Sequence, residues 1–138
     1  MSKIKYDLNL MKFISLFESL THAGVKDCID NGEQLIFIVN ENDVGKAVGK
    51  NGANVKRISS MLNKPIKVVE FSPDVLQFVR NFVHPLQIKD VKEENGVVLV
   101  EGVDTKTKGQ IIGRDRKNLD NLTNVVKRHF SIDEIKVV

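Results

Sequence analysis

Val44-Gly45-Lys46-Ala47-Val48-Gly49-Lys50-Asn51-Gly52-Ala53-Asn54-Val55-Lys56-Arg57 is the stretch on which the reading of this chain turns. It carries four cations, Lys46, Lys50, Lys56 and Arg57, and no acid. Gly49 and Gly52 bracket a Lys-Asn pair between two segments that read as helices. Glycine has no Cβ and tolerates positive φ, so such a turn lets a second backbone approach closely. Cations around the turn favour an anionic visitor, and a polynucleotide is the natural candidate.

Mononucleotides fit the spacing poorly. A phosphate-binding P-loop needs four residues between its first glycine and its Gly-Lys-Ser/Thr. Here three residues separate Gly45 from Gly49, and Asn51 follows Lys50 where the magnesium-binding hydroxyl belongs. The dinucleotide fingerprint fails as well, because the stretch does not follow a strand as Gly-x-Gly-x-x-Gly. A helix-turn-helix reader of DNA stays compatible, since the segment after Gly52 offers Asn54, Lys56, Arg57, Ser59 and Ser60. The bland alternative is a tight helix-helix turn ringed by solvated lysines.

Working outward, the stretch occurs twice. Asn31-Gly32 recurs as Asn95-Gly96, Gly45 as Gly109, Gly49 as Gly113 and Asn54 as Asn118, each at an offset of 64. Apolar positions follow: Val39/Val103, Ala47/Ile111, Val48/Ile112, Val55/Leu119, Ile58/Leu122 and Leu62/Val126. Shared turn residues together with a shared apolar pattern mark a tandem duplication.

In the first copy, Leu10, Phe13, Ile14, Phe17 and Leu20 fall at helical spacing, with Gly24 as the expected stop. Strands are expected near 25–30 and 34–40, joined by a tight hairpin at Asn31-Gly32. Asn42 or Asp43 is the expected cap of a short helix through Val48. Val55, Ile58 and Leu62 make the stripe of the next helix, stopped by Pro65, and a strand follows over 66–71. The second copy begins at Ser72-Pro73, read as N-cap and first helical residue. Val75, Leu76, Val79 and Phe82 form its stripe and Pro85 ends it. Strands near 86–92 and 97–101, helices near 105–112 and 117–130, and a strand near 132–137 complete it. Each copy therefore reads α-β-β-α-α-β, in domains 1–71 and 72–138, and the lack of a flexible linker predicts a fixed packing between them.

The composition is that of an ordered protein, 41% hydrophobic and 28% charged over 138 residues, with a net charge of +3. The single cysteine, Cys28, excludes an intrachain disulfide and points to a reducing compartment. The first residues lack the apolar segment of a signal peptide, and no apolar run approaches the roughly 20 residues of a membrane helix. A cytoplasmic protein without membrane contact is expected.

The run from Gly45 to Val55 resembles the signature of a KH domain, an apolar-Gly-x-x-Gly motif between two helices. The position of the preceding helix and strand resembles the type II variant. Two such domains without a linker resemble the tandem KH unit of the NusA family of transcription factors, in its short archaeal form. The implied fold class is α+β: two tandem type II KH domains, each a three-stranded mixed sheet packed on three helices. The implied partner is single-stranded RNA, as a nascent transcript, with RNA polymerase as a second partner. Termination, antitermination or elongation of transcription is the implied role, and a monomer is expected. Gly49 and Gly52 would admit the sugar-phosphate chain, and Lys50 would neutralise a phosphate. Lys46, Lys56 and Arg57 would add potential, with Gly45, Val48, Asn51 and Asn54 completing the interface. Bases would lie on an aliphatic groove of Ala47, Val48 and Val55.

The second turn departs from that pattern. It reads Gly113-Arg114-Asp115-Arg116, with arginine in place of the last glycine and an acid between. Lys106, Lys108, Arg114, Arg116 and Lys117 keep its surroundings basic, so weaker binding through Lys108, Gly113, Arg114, Arg116 and Lys117 is expected. A structural role for this copy is the other reading. His22, His84 and His129 have no metal-ligand spacing, and Glu93-Glu94 reads as a solvated loop. No nucleophile-base constellation is present, so neither an enzyme nor a cofactor or metal site is expected. A KH protein of the ribosome or its assembly is the runner-up, and a protein-interaction scaffold comes third.

Overall fold

The computed structural model describes residues 7–138; Met1–Tyr6, at the head of the first expected domain, lie outside them. The chain divides into two compact units, Met1–Ser72 and Pro73–Val138. The first contains α1 (Leu8–Thr21), β1 (Val25–Asp30), β2 (Leu35–Val39), α2 (Val44–Val48), α3 (Ala53–Leu62) and β3 (Ile66–Glu70). The second contains α4 (Val75–Val83), β4 (Ile88–Glu94), β5 (Val97–Gly102), α5 (Thr105–Ile112), α6 (Lys117–His129) and β6 (Glu134–Val137). A single turn of 3-10 helix separates α2 from α3 and another separates α5 from α6.

Each unit has a mixed three-stranded sheet. β1 pairs antiparallel with β2, and β2 parallel with β3; β4, β5 and β6 repeat that order. A parallel return needs a crossover. In both units the crossover is the helix pair that carries the glycine turn. β2 is the centre of the first sheet, and all five of its residues are buried. Leu35, Phe37 and Val39 pack with Phe17, Ala23, Cys28, Ala47 and Ile58 in one core cluster. The Phe17 ring stacks on Phe37 with centroids 4.2 Å apart.

Several helix ends differ from expectation. α1 stops at His22, which takes the left-handed conformation at φ 61, so Gly24 is not the stop. The Gly24 N–H instead donates to Asp43 Oδ2 at 2.8 Å. That contact engages the carboxylate, and α2 has no side-chain cap. Asn63, at φ 54, ends α3 before Pro65 is reached. α4 begins two residues beyond Pro73: Asp74 is its cap, its Oδ1 accepting from Leu76 N–H at 3.0 Å, while Ser72 is buried ahead of it.

The repeat does not keep one register throughout. Cys28 faces Phe37, and Val91 faces Val100, so the paired strands are displaced by 63 residues. The offset of 64 holds only across the helix pair. The extra residue lies after the hairpin, because Gly49 stands 12 residues beyond Phe37 and Gly113 stands 13 beyond Val100. Asp30 pairs with Leu35 across a four-residue loop, in which Asn31 Oδ1 accepts from the N–H groups of Glu33 and Gln34. Glu94 pairs with Val97 around Asn95-Gly96, both at positive φ, which is the two-residue turn expected of that sequence. The matched Asn-Gly dipeptides therefore do not occupy matching places. Val39 is buried whereas Val103 is 48% exposed, so that apolar pair is not equivalent either.

Lys64 Nζ donates to Asp30 Oδ2 at 2.9 Å, tying the end of β1 to the α3–β3 connection. This hydrogen bond, with the Gly32 N–H, holds the Asp30 carboxyl below its usual range. A depressed carboxyl stabilises the fold above its unfolded pKa, and that contribution is lost as pH falls through the folded value. Asp30 is about a third exposed, so screening keeps the pair below about 1 kcal/mol. Asp30→Asn is expected to lower urea stability by a few tenths of a kcal/mol at neutral pH. The difference should vanish below the carboxylate range; a gap that persists there would remove the ion pair as its cause.

Candidate nucleic-acid interface

The two turns have nearly the same backbone. Gly49 has φ 77 and ψ 170, and Gly113 has φ 76 and ψ 171. Asn51 and Asp115 follow at φ 55 and φ 54, then Gly52 at φ 75 and Arg116 at φ 63, both with ψ 16. Each first glycine donates its N–H back into the preceding helix, Gly49 to the Gly45 carbonyl at 3.0 Å and Gly113 to Gly109 at 2.8 Å. Each turn closes on a second bond, from Gly52 to the Gly49 carbonyl and from Arg116 to Gly113.

The asparagine that recurs in both halves is a strut. Asn54 Nδ2 donates to the Lys46 carbonyl at 2.8 Å, and Asn118 Nδ2 to the Gln110 carbonyl at 3.0 Å. A carbonyl at the end of the first helix would otherwise lack a helical partner. The side chain from the second helix supplies one, and so fixes the angle of the turn. Asn54, expected among the RNA contacts, has its amide nitrogen committed to its own chain.

The two glycines of the first turn have different tasks. A Cβ on Gly49 would meet Asn54 Cγ at 2.8 Å and the Asn54 backbone nitrogen at 3.0 Å. On Gly52 the nearest atom would be Lys56 Cε at 3.9 Å, and Gly45 is open on every side. Gly49 is thus required by the fold, while Gly52 leaves clear the space in front of the turn. Neither the 3-10 turn nor α3 has a side chain capping its N-terminus, so the turn presents backbone to an anion.

The expected cations take up several positions. Lys50, Lys56 and Arg57 are exposed and make no ion pair with another described residue. Lys56 reaches back to Gly52, as helical side chains lean towards the N-terminus. Lys46 lies 3.8 Å from Asp43, an acid just outside the basic stretch that offsets part of its charge. Asn51 is exposed at the tip, and Val48 and Val55 are half-buried. Ala47 is fully buried in the core cluster, so it does not line a groove as expected. A five-residue helix must turn one apolar residue inward, and Ala47 is that residue.

At the second turn Arg114, Asp115, Arg116 and Lys117 are exposed. Arg116 Nε lies 3.9 Å from Asp120 Oδ1. Lys108 is one turn further back, its stem packed over Gly102, where an added Cβ would fall 2.6 Å from Lys108 Cγ. Asp104 opens this helix pair by accepting from Thr107 N–H at 2.7 Å, which keeps its carboxyl below the usual range.

The seven phenylalanines are buried or half-buried, so none forms an exposed stacking platform. Lys26 Nζ sits 4.4 Å above the Phe71 ring. Among the described residues no group of three His, Cys, Asp or Glu side chains could hold a metal ion, and no helix is long and apolar enough to cross a membrane.

A sequence profile of the KH domain matches residues 14–95, from within α1, through the first glycine turn, to the β4–β5 hairpin. The chain belongs to the KH-domain family. Among similar proteins, one of Methanocaldococcus jannaschii named "Probable transcription termination protein NusA" is 34% identical, over 100% of this chain and 77% of that protein. One of Thermoplasma acidophilum with the same name is 29% identical, over 99% of this chain and 97% of its own length. A solved structure, "Crystal structure of APE1850", is similar with a TM-score of 0.75 and 32% identity, covering 96% of this chain and 100% of that one.

Within this KH chain the turn geometry makes an unequal demand on the two glycines. Gly49→Ala is expected to destabilise by about 1–3 kcal/mol, since positive φ is joined to a backbone clash. Gly52→Ala meets only the left-handed penalty of about 1 kcal/mol. Urea titrations of the two variants check this, and equal losses would contradict the assignment.

Proposed function

We propose that this chain is a non-enzymatic, single-stranded RNA-binding protein of transcription, built as two tandem type II KH domains over 1–71 and 72–138. Its main grip is the turn Gly49-Lys50-Asn51-Gly52. The observation that carries this reading is the turn itself: uncapped helix N-termini, an open approach at Gly52, and exposed Lys50, Lys56 and Arg57 around it. Sugar-phosphate chain lies against Gly49 and Gly52, Lys50 faces a phosphate, and bases rest on Val48 and Val55. The second turn, through Gly113, Arg114, Arg116 and Lys117, adds a weaker contact. NusA-named relatives along the whole chain support transcription over ribosome assembly, with the nascent transcript as ligand and termination or antitermination as the role. RNA polymerase is the proposed protein partner of a monomeric, cytoplasmic chain.

Lys50→Asp with Asn51→Asp tests the grip. The second turn holds an aspartate at φ 54 where the first has Asn51 at φ 55, so this backbone accepts the new residue. Affinity for mixed-sequence single-stranded RNA, read by fluorescence anisotropy, is expected to fall at least about tenfold, or roughly 1.4 kcal/mol. Circular dichroism should be unchanged. The wild-type salt slope should be shallow, about −0.7 for each phosphate contact. Unchanged affinity would move the site away from this turn.

A further inference from the structure

The two turns share a backbone and differ in charge. Lys46–Arg57 carries four cations and no acid, a net +4, whereas the matching Gln110–Asn121 carries three cations and two acids, a net +1. The acids fall at two particular places. Asp115 replaces Asn51 at the exposed tip, and Asp120 replaces Lys56, the residue that reaches back to Gly52. Asp120 instead faces Arg116 at 3.9 Å, with both side chains about two-thirds exposed.

A steric explanation for a weak second turn is less well supported. Arg116 occupies the place of Gly52 with ψ unchanged and φ only slightly smaller, so a side chain there leaves the turn intact. In the first turn the direction of that side chain is open, with nothing nearer than Lys56 Cε at 3.9 Å. An arginine leaving in that direction brings a cation towards a phosphate. What opposes it is negative charge: one carboxylate at the tip, and a second that engages the guanidinium from one helical turn along. Like charges within a few ångströms of a phosphate repel it much as a lysine attracts it.

We infer that Asp115 and Asp120, rather than the Cβ of Arg116, decide which of the two turns grips RNA. The inference rests on the reading of the first turn as an RNA site. It makes the second turn a latent copy of the first, weakened by two exposed carboxylates on an otherwise matching backbone.

The test uses the full chain with its first turn disabled by Lys50→Asp and Asn51→Asp. Into this background go either Asp115→Asn with Asp120→Lys, or Arg116→Gly alone. Binding of fluorescein-labelled, mixed-sequence single-stranded RNA is read by anisotropy between about 50 and about 200 mM salt. The acid-replacing pair is expected to raise affinity at least about tenfold over the disabled parent. Its salt slope should steepen by about 0.7 for each phosphate regained. Arg116→Gly should change affinity less than about twofold. As a reciprocal check, Lys56→Asp in the wild-type chain should weaken binding by a similar factor, a readout that needs no rescued turn. Recovery with Arg116→Gly but not with the acid-replacing pair overturns the inference, as does no recovery with either while Lys56→Asp binds like wild type. Wild-type chain that binds no RNA overturns the functional reading itself, an outcome distinct from wild-type binding without rescue.

Discussion

A backbone at φ near 77 and ψ near 170 is open to glycine and almost nothing else, and both helix pairs of this protein bend through it. The bend brings the end of one short helix against the start of the next, close enough for Asn54 or Asn118 to reach the carbonyl eight residues back. That contact in turn sets where the apolar faces point. Ala47 and Ile58 enter one core, and Ile111 and Leu122 are buried in the other unit. The crossover can then deliver β3 and β6 parallel to the central strands. One glycine, one asparagine and two buried apolar residues thus connect the turn to the sheet in each unit.

Structural demand and ligand access are separated along the same four residues. The first glycine is held by a clash with the backbone nitrogen five residues on, a neighbour that cannot move aside. The last glycine faces open space, and its counterpart is an arginine whose left-handed conformation costs about 1 kcal/mol. A position that tolerates such a residue without losing the turn is set by what approaches from outside. The same holds for charge: Lys50, Lys56 and Arg57 are exposed, and no ion pair with another described residue requires them to be cations.

The repeat was legible in the sequence where the backbone demands particular residues. Gly49/Gly113 and Asn54/Asn118 recur at a fixed spacing because both the positive φ and the strut require them. Outside the helix pair the spacing changes, because the link from central strand to glycine turn is one residue longer in the second unit and α6 is longer than α3. Caps were the least legible. Ser72-Pro73 has the composition of a helix start, yet Asp74 caps α4, and Asp43 is drawn away by the Gly24 N–H of a distant loop. The strut role of Asn54 was hidden for a related reason: its partner is a main-chain carbonyl, which leaves no mark on the sequence. Ala47 lies in a helix too short for periodicity to show which face turns inward.

The absence of an exposed phenylalanine bears on what kind of RNA reading this surface allows. Rings that stack on bases add affinity at each nucleotide and are tolerant of sequence. Here the rings serve the cores, as in the Phe17–Phe37 stack and the cluster of Phe78 with Phe82 and Phe130. What remains at the first turn is main chain, three exposed cations and two half-buried valines. On the proposed reading, such a surface would hold the sugar-phosphate backbone through charge and amides, and support bases by apolar contact alone. Affinity on that reading would rest mainly on phosphate neutralisation, which salt weakens, and apolar contact with Val48 and Val55 would discriminate little between bases.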